Sequence, residues 1–326
     1  MDRAFHYGGR HSARDSEGII HVTWEDPTYE FHYYSHSLDT IGLTWTEPIN
    51  PYKATDFTVD RALMAKMAIN PVTNDVYLLS FHRVNPGEDY HTGITRSTDG
   101  GATFETYLDL NIPLGRLDEE VSWGTFAIGT DQVMHITYAR ANRDMMYTRT
   151  DLTDNTDLTA LTFTRADGVT AGDEAISFVP SGVVFQGTIV LDRNGDPHII
   201  FSGDGDPDFF GDKTPYHIYY KSADAAWGPI PPQKLQAELE QTWGMPEMVF
   251  DANNRGYYFF IDRGTDGMKF GTWEPPAGAN AFGSLNNTGD ERGDDAALDM
   301  ITDNFANLDI TPDDAPYLPN ADVDDV

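Results

Sequence analysis

The chain has 326 residues, enough for a large core in one domain or two, and its 12% aromatic content with 29 Gly and 19 Pro points to many short strands and turns rather than a helical bundle. A formal charge of −32 argues against nucleic acid or an anionic membrane as partner, because like charges repel at long range. There are no cysteines, which excludes disulfides and thiolate metal sites, and no apolar run approaches the roughly 20 residues that span a bilayer.

In chain order, five apolar strands recur in similar surroundings: His21-Val22-Thr23-Trp24, Tyr77-Leu78-Leu79-Ser80, His135-Ile136-Thr137-Tyr138, His198-Ile199-Ile200-Phe201 and Tyr257-Tyr258-Phe259-Phe260. Their first residues lie 56, 58, 63 and 59 positions apart. Each follows a turn, from Asp15-Ser16-Glu17-Gly18 to Asp251 through Gly256, and each has a further extended run upstream, the clearest being Ala62 to Ile69 and Val183 to Leu191. A second strand comes after each, such as Phe31 to Ser35 and His217 to Lys221, and four repeats then reach an aromatic at Trp45, Phe104, Phe163 or Trp227. Four strands per repeat of this size predict an all-β propeller. Five blades are visible, and a degenerate sixth from the Asp151–Phe178 insert is the alternative count. The fifth repeat stops near Trp273 without a clear outer strand, which the N-terminal residues are free to supply.

After Pro275-Pro276 the composition changes: residues 285–326 hold 12 acidic residues, one Arg and no Lys. The predicted division is a propeller over 1–276 and an acidic, partly ordered tail over 277–326, with helix-spaced apolar residues between Ala296 and Leu308 suited to docking on a partner. Residues 1–20 contain Arg3, Arg10 and Arg14 and no apolar core, so no signal peptide is expected there. Asp outnumbers Glu 39 to 14, and Arg outnumbers Lys 15 to 6. That bias suits a halophilic or marine setting, where salt screens charge repulsion.

Ser97-Thr98-Asp99-Gly100-Gly101-Ala102-Thr103-Phe104 reads as a hairpin tip, with glycines for positive φ and with hydroxyl and carboxylate groups to cap the turn's own amides. Phe104 is expected to start the outgoing strand. The pattern Ser-x-Asp-x-Gly-x-Thr-aromatic resembles the Asp-box, or BNR repeat, of sialidase-like β-propellers. Ser37, Asp39, Gly42 and Trp45 form a second copy with one residue inserted, and Lys221 to Trp227 and Thr150 to Phe163 are worn copies. The structural box residues are thus Ser37, Asp39, Gly42, Trp45, Ser97, Asp99, Gly101 and Phe104. In that family the box is a structural hairpin on the outer edge of a blade. The resemblance implies an extracellular or virion-associated protein rather than a cytoplasmic one, and a glycan or protein partner.

Innermost propeller strands converge on the axis, so residues where those strands begin line one mouth. There the sequence places Tyr7, Arg10 and His11, then Asp60 and Arg61, then Glu119, Glu120 and Trp123, then Phe185 and Gln186, and finally Trp243 and Glu247. Arginines, acids and flat rings suit a sugar, whose faces stack on aromatics and whose hydroxyls need paired polar groups. Tyr7, Trp123, Gln186 and Trp243 are the candidate glycan contacts, and Arg10, His11, Asp60, Arg61, Glu119, Glu120 and Glu247 the candidate catalytic groups. Ordinary packing between blades is the alternative for Trp123 and Trp243, and pairing with Asp60 or Glu119 the alternative for Arg61.

Sialidases place three arginines on a sialic-acid carboxylate, beside a Tyr-Glu nucleophile pair and an Asp acid/base. Their Arg-Ile-Pro signature is absent here. Gly9-Arg10-His11-Ser12 stands nearest, and Arg61, Arg83, Arg140 and Arg263 lie outside any specific motif. Two-carboxylate hydrolysis needs acids about 5–9.5 Å apart, for which Asp60, Glu119, Glu120 and Glu247 are available. Propeller polysaccharide lyases use His and Tyr with Arg, and His11, Tyr7 and Arg10 are the nearest set. Asp204, Asp206 and Asp208 alternate on a Gly-containing loop that suits Ca²⁺, the one cofactor this sequence suggests, with a solvated acidic loop as the alternative. With the catalytic signature missing, the sequence favours recognition or assembly without catalysis over a glycan-cleaving enzyme.

Overall fold

The computed structural model describes residues 11–26, 31–51, 61–83, 91–105, 107–116, 121–140, 144–154, 157–177, 184–203, 214–234, 246–262, 267–276 and 284–286. They form five antiparallel sheets of up-and-down order, one per repeat. The first contains β1 (Ser12–Arg14), β2 (Ile20–Asp26) and β3 (Phe31–His36), and the second β4 (Arg61–Ile69), β5 (Val76–Arg83), β6 (His91–Ser97) and β7 (Leu108–Asp109). The third contains β8 (Val121–Ile128), β9 (Val133–Arg140), β10 (Asp144–Asp151) and β11 (Glu174–Ala175). β12 (Val184–Leu191), β13 (Pro197–Gly203), β14 (Thr214–Lys221) and β15 (Ala226–Lys234) make the fourth. β16 (Glu247–Phe250), β17 (Gly256–Asp262), β18 (Gly267–Glu274) and β19 (Ser284–Asn286) make the fifth. The chain is a five-bladed β-propeller. Among the described residues no helix is long and apolar enough to cross a membrane.

Local turn chemistry sets the repeat. Between the first two strands of a blade, one Asp carboxylate accepts two backbone amides: Asp15 from Glu17 and Ile19, Asp192 from Asn194 and Asp196, and Asp251 from Asn253 and Arg255, all at 2.8–2.9 Å. Asn70 caps the second blade in the same way, accepting from Val72 N–H at 2.9 Å. These Asx turns reverse the chain without any other residue's help. They also tie blades together. Asn74 Nδ2 donates to Ser16 Oγ at 2.8 Å, and Asn254 Nδ2 to Asp192 Oδ2 at 2.9 Å. We call the end bearing these short linked turns the closed end, and the opposite end, where the innermost strands begin, the mouth.

The core lies between blades. Tyr34 packs with Met67, Val76, Leu78 and Phe104 between the first two, and Phe126, Ile136 and Tyr138 meet Leu79 and Ile94 between the second and third. Ile189, Ile199 and Phe201 cover Met145 and Tyr147, and Met248, Tyr258 and Trp273 cover Val190 and Tyr219. His21, His135, His198 and His217, expected as half-buried strand positions, are at most 3% exposed. Phenol and imidazole partners make that burial tolerable: His21 Nδ1 meets Tyr34 OH at 2.6 Å, His135 Nδ1 meets Tyr147 OH at 2.6 Å, and His198 Nδ1 meets His217 Nε2 at 3.0 Å.

Three expectations change. The Asp151–Phe178 insert is the outer part of the third blade, because Glu174 and Ala175 pair with Tyr147 and Met146 of β10. The fifth blade takes its outer strand from Ser284–Asn286, beyond residue 276, and not from the N-terminal residues. Ser284-Leu285-Asn286 has a single apolar residue, which gives that strand no local apolar signature. Phe104 does not start an outgoing strand. It turns inward, edge-on to Tyr34 of the first blade at 5.0 Å between centroids, and β7 begins later at Leu108.

At the two hairpin tips the acid caps the turn. Asp99 accepts from Ser97 Oγ at 2.8 Å and from Thr103 N and Oγ1 at 2.8 and 2.6 Å, while Gly101 N donates to Ser97 Oγ at 2.8 Å. Asp39 accepts from the amides of Ile41, Leu43 and Thr44 and from Thr44 Oγ1, so the extra residue is absorbed within the turn. Gly42 stands at φ +70° and its carbonyl accepts from Trp45 Nε1 at 2.8 Å. Asp167 caps Val169 and Thr170 in the same way. No Ser precedes it at box spacing, so the sequence pattern does not reveal it.

Candidate active site at the axial mouth

Counting four residues back from each closed-end turn reaches His11, Lys66, Thr125, Thr188 and Glu247. Strand register makes the five equivalent: Lys66 pairs with Leu79, Thr125 with Thr137, Thr188 with Ile200 and Glu247 with Phe259, and Thr23 N–H donates to the His11 carbonyl at 2.8 Å. Five equivalent positions on five innermost strands form a ring about the axis. Two residues further toward the closed end the same-facing positions are Ala13, Ala68, Ala127, Val190 and Val249. Of these, Ala13, Ala68, Ala127 and Val190 lie in the clusters between blades.

Backbone irregularity is concentrated at this level. β4, β8 and β12 each carry a register shift, between Leu63 and Lys66, Ser122 and Thr125, and Phe185 and Gly187. A bulge re-aims the side chains around it and frees amides from the ladder. One freed amide has a defined use. Ala65 N–H, inside the β4 bulge, donates to Nε2 of His32 from the first blade at 2.9 Å. His32 is fully buried and burial holds its pKa well below 6.5, so the ring is neutral and carries its proton on Nδ1.

Charge and burial work together in this cluster. Lys66 is 5% exposed, and burial lowers its pKa to about 8 while the charge of Glu247 pulls it up. Burial and, second to it, the Lys66 charge lower the pKa of His11 to about 3, against a hydrogen bond with the Ala65 backbone that raises it. Both His11 ring nitrogens are buried. His32 also feels the charges of His11 and Lys66. At neutral pH the mouth thus presents a buried cation beside two neutral imidazoles, and a half-buried carboxylate on β16.

Of the sequence candidates, the structure brings His11 and Glu247 into this ring. Arg61 lies at the start of β4 opposite Arg83, and Trp123 and Gln186 lie within the bulges of β8 and β12. Tyr7, Arg10, Asp60, Glu119, Glu120 and Trp243 fall outside the described residues, as do Asp204, Asp206 and Asp208. Sequence reasoning missed Lys66 and His32. The count back from the turns would have found Lys66, whereas His32 is reached only through the contact between blades.

No protein-family model matches the sequence, and no curated protein matches it. Solved structures do. An ulvan lyase of a polysaccharide lyase family, bound to -[GlcA(1-4)Rha3S]-, superposes with a TM-score of 0.59 at 14% identity, over 84% of this chain and 68% of that one. The intramolecular trans-sialidase from Ruminococcus gnavus superposes with a TM-score of 0.56 at 9% identity, over 87% and 84%. A Dyadobacter fermentans protein of unknown function gives 0.56 at 11% identity, over 88% and 86%. At these identities the likeness is one of fold.

Proposed function

We propose that this sialidase-like β-propeller cleaves uronate-containing glycans by β-elimination at its axial mouth. The observation that carries the reading is the buried Lys66 acting on the buried imidazole of His11. Burying a cation and two imidazole nitrogens is costly and does nothing for packing. A buried cation with a perturbed pKa in a cluster of titratable groups is a candidate for a working site.

Elimination asks for three things at one place: neutralisation of the uronate carboxylate, removal of the C5 proton, and a proton for the O4 leaving group. Lys66 supplies the positive charge below about pH 8. His11 is in its unprotonated form at neutral pH, and an arriving carboxylate raises its basicity toward the working range. His11 takes the C5 proton, the C4=C5 double bond forms, the C4–O4 bond breaks, and O4 takes up a proton. Lys66, an ammonium group below about pH 8, is the proton donor of the cluster. The net charge of −32 disfavours approach of an anionic polysaccharide at low salt. At about 0.5–1 M salt the Debye length falls to roughly 3–4 Å, which screens the distant acids.

The test is turnover on a panel of uronate polysaccharides, including -[GlcA(1-4)Rha3S]- chains, followed by the ultraviolet absorbance of the unsaturated uronate. Lys66→Met and His11→Ala should each abolish product while the far-UV spectrum stays unchanged, and Asp99→Ala should leave turnover intact. New reducing ends without the unsaturated chromophore would replace elimination with hydrolysis. No turnover on any polymer would sink the enzymatic reading.

Recognition or assembly, which the sequence by itself favours, has one observation in its support. Leu38, Ile41 and Leu43 are 62–77% exposed on a single hairpin tip of the first blade, an apolar edge on a very acidic molecule that suits a protein partner.

A further inference from the structure

We propose that His82, His91 and Asp109 form a binding site for a first-row divalent transition-metal ion in the second blade. His82 is the penultimate residue of β5 and His91 the first of β6, and the two face each other in register. Asp109 on β7 pairs with Gly93, two residues along from His91 and therefore on the same face. One ligand atom from each of the three lies within 4.8 Å of the others. His91 Nδ1 is already 2.8 Å from Asp109 Oδ2, and the two imidazole rings stand edge to face at 5.7 Å.

Outer partners orient these groups as they do in metal centres. Tyr107 OH bonds to His82 Nδ1, which directs Nε2 to the ion. Tyr107 reaches that position only because residue 93 is glycine: a Cβ there would lie 1.9 Å from the Tyr107 ring. Asn111 N–H donates to Asp109 Oδ1 at 2.9 Å, leaving Oδ2 for the ion. Two imidazoles and one carboxylate suit Zn²⁺, Co²⁺ or a similar ion and not the all-oxygen preference of Ca²⁺ or Mg²⁺. Three protein ligands leave a position for water. His82 is buried while His91 and Asp109 are partly exposed, so an ion enters from the mouth end.

The experiment is Co²⁺ titration of the full chain in a large excess of Ca²⁺, which occupies the acidic surface, read by the visible d–d absorption of cobalt. One equivalent should bind, with the band of a low-symmetry nitrogen- and oxygen-ligated ion. His91→Gln and Asp109→Asn should abolish that band, and Tyr107→Phe should weaken affinity by about 10-fold or more through its effect on His82. Circular dichroism of each variant checks the fold, and His91, being partly exposed, is the substitution least able to disturb it. Displacement of cobalt by Ca²⁺, or binding unchanged in His91→Gln and Asp109→Asn, would overturn the proposal.

Discussion

Lowering the pH from 7 to 5 should unfold this propeller through its buried histidines. Burial holds His11 and His135 at about 3, and holds His32 and His217 well below 6.5. These four are neutral in the fold, whereas in the unfolded chain they bind protons below pH 6.5. Stability is therefore complete above that value and is lost as pH falls. His11 and His135 each contribute a loss of about 2 kcal/mol between pH 7 and pH 5, about 4 kcal/mol together, and His32 and His217 act in the same direction. That is a large part of the roughly 5–15 kcal/mol that holds a domain together. Near pH 5.5 unfolding should take up about 1.8 protons at His11 and His135 alone, a slope of about 2.5 kcal/mol per pH unit, to which His32 and His217 add. Urea unfolding at steps from pH 7.5 to 5.5 measures this slope directly. His135→Gln should reduce it by about one proton, whatever it does to stability at pH 7. A slope of fewer than about two protons would refute the reasoning, since the imidazoles would then be charging within the fold.

Further expectations concern the hairpin tips, one buried ion pair and the surface. Asp99→Ala removes three hydrogen bonds at an exposed turn and should lower stability by about 1–2 kcal/mol in a denaturant melt, with no effect on turnover. Gly101→Ala should cost more, roughly 2–4 kcal/mol, because φ is +94° and the new methyl meets Tyr34 OH, which His21 holds in place. Equal stability of these two variants would contradict the close approach. Asp173→Asn breaks a buried bidentate pair with Arg116, at 2.6 and 2.7 Å, that Tyr138 also joins. A loss of about 3–5 kcal/mol is expected, and calorimetry would detect it. With a net charge of −32, thermal stability should rise from 0.1 to 2 M NaCl by about 1–2 kcal/mol, or roughly 2–4 °C in Tm, as repulsion is screened. A melting temperature indifferent to salt would count against a halophilic character.

The repeat and the hairpin tips were legible in the sequence, because each is written locally. An Asp or Asn capping its own turn, a two-residue alternation in the following strand, and Asp99 closing on Thr103 all act within a few residues of themselves. Counting from those turns also reaches the level of His11 and Glu247. What the tertiary structure alone decided is who meets whom across blades. His32 finds Ala65 only because a bulge frees an amide on the neighbouring sheet, and Lys66 is buried only because strands remote in sequence enclose it. His82, His91 and Asp109 converge through the pairing of three strands, and Ser284–Asn286 becomes an edge strand because β18 offers it a free ladder. Register, bulges and blade contacts are set by pairing between distant segments. No local pattern in the chain encodes them.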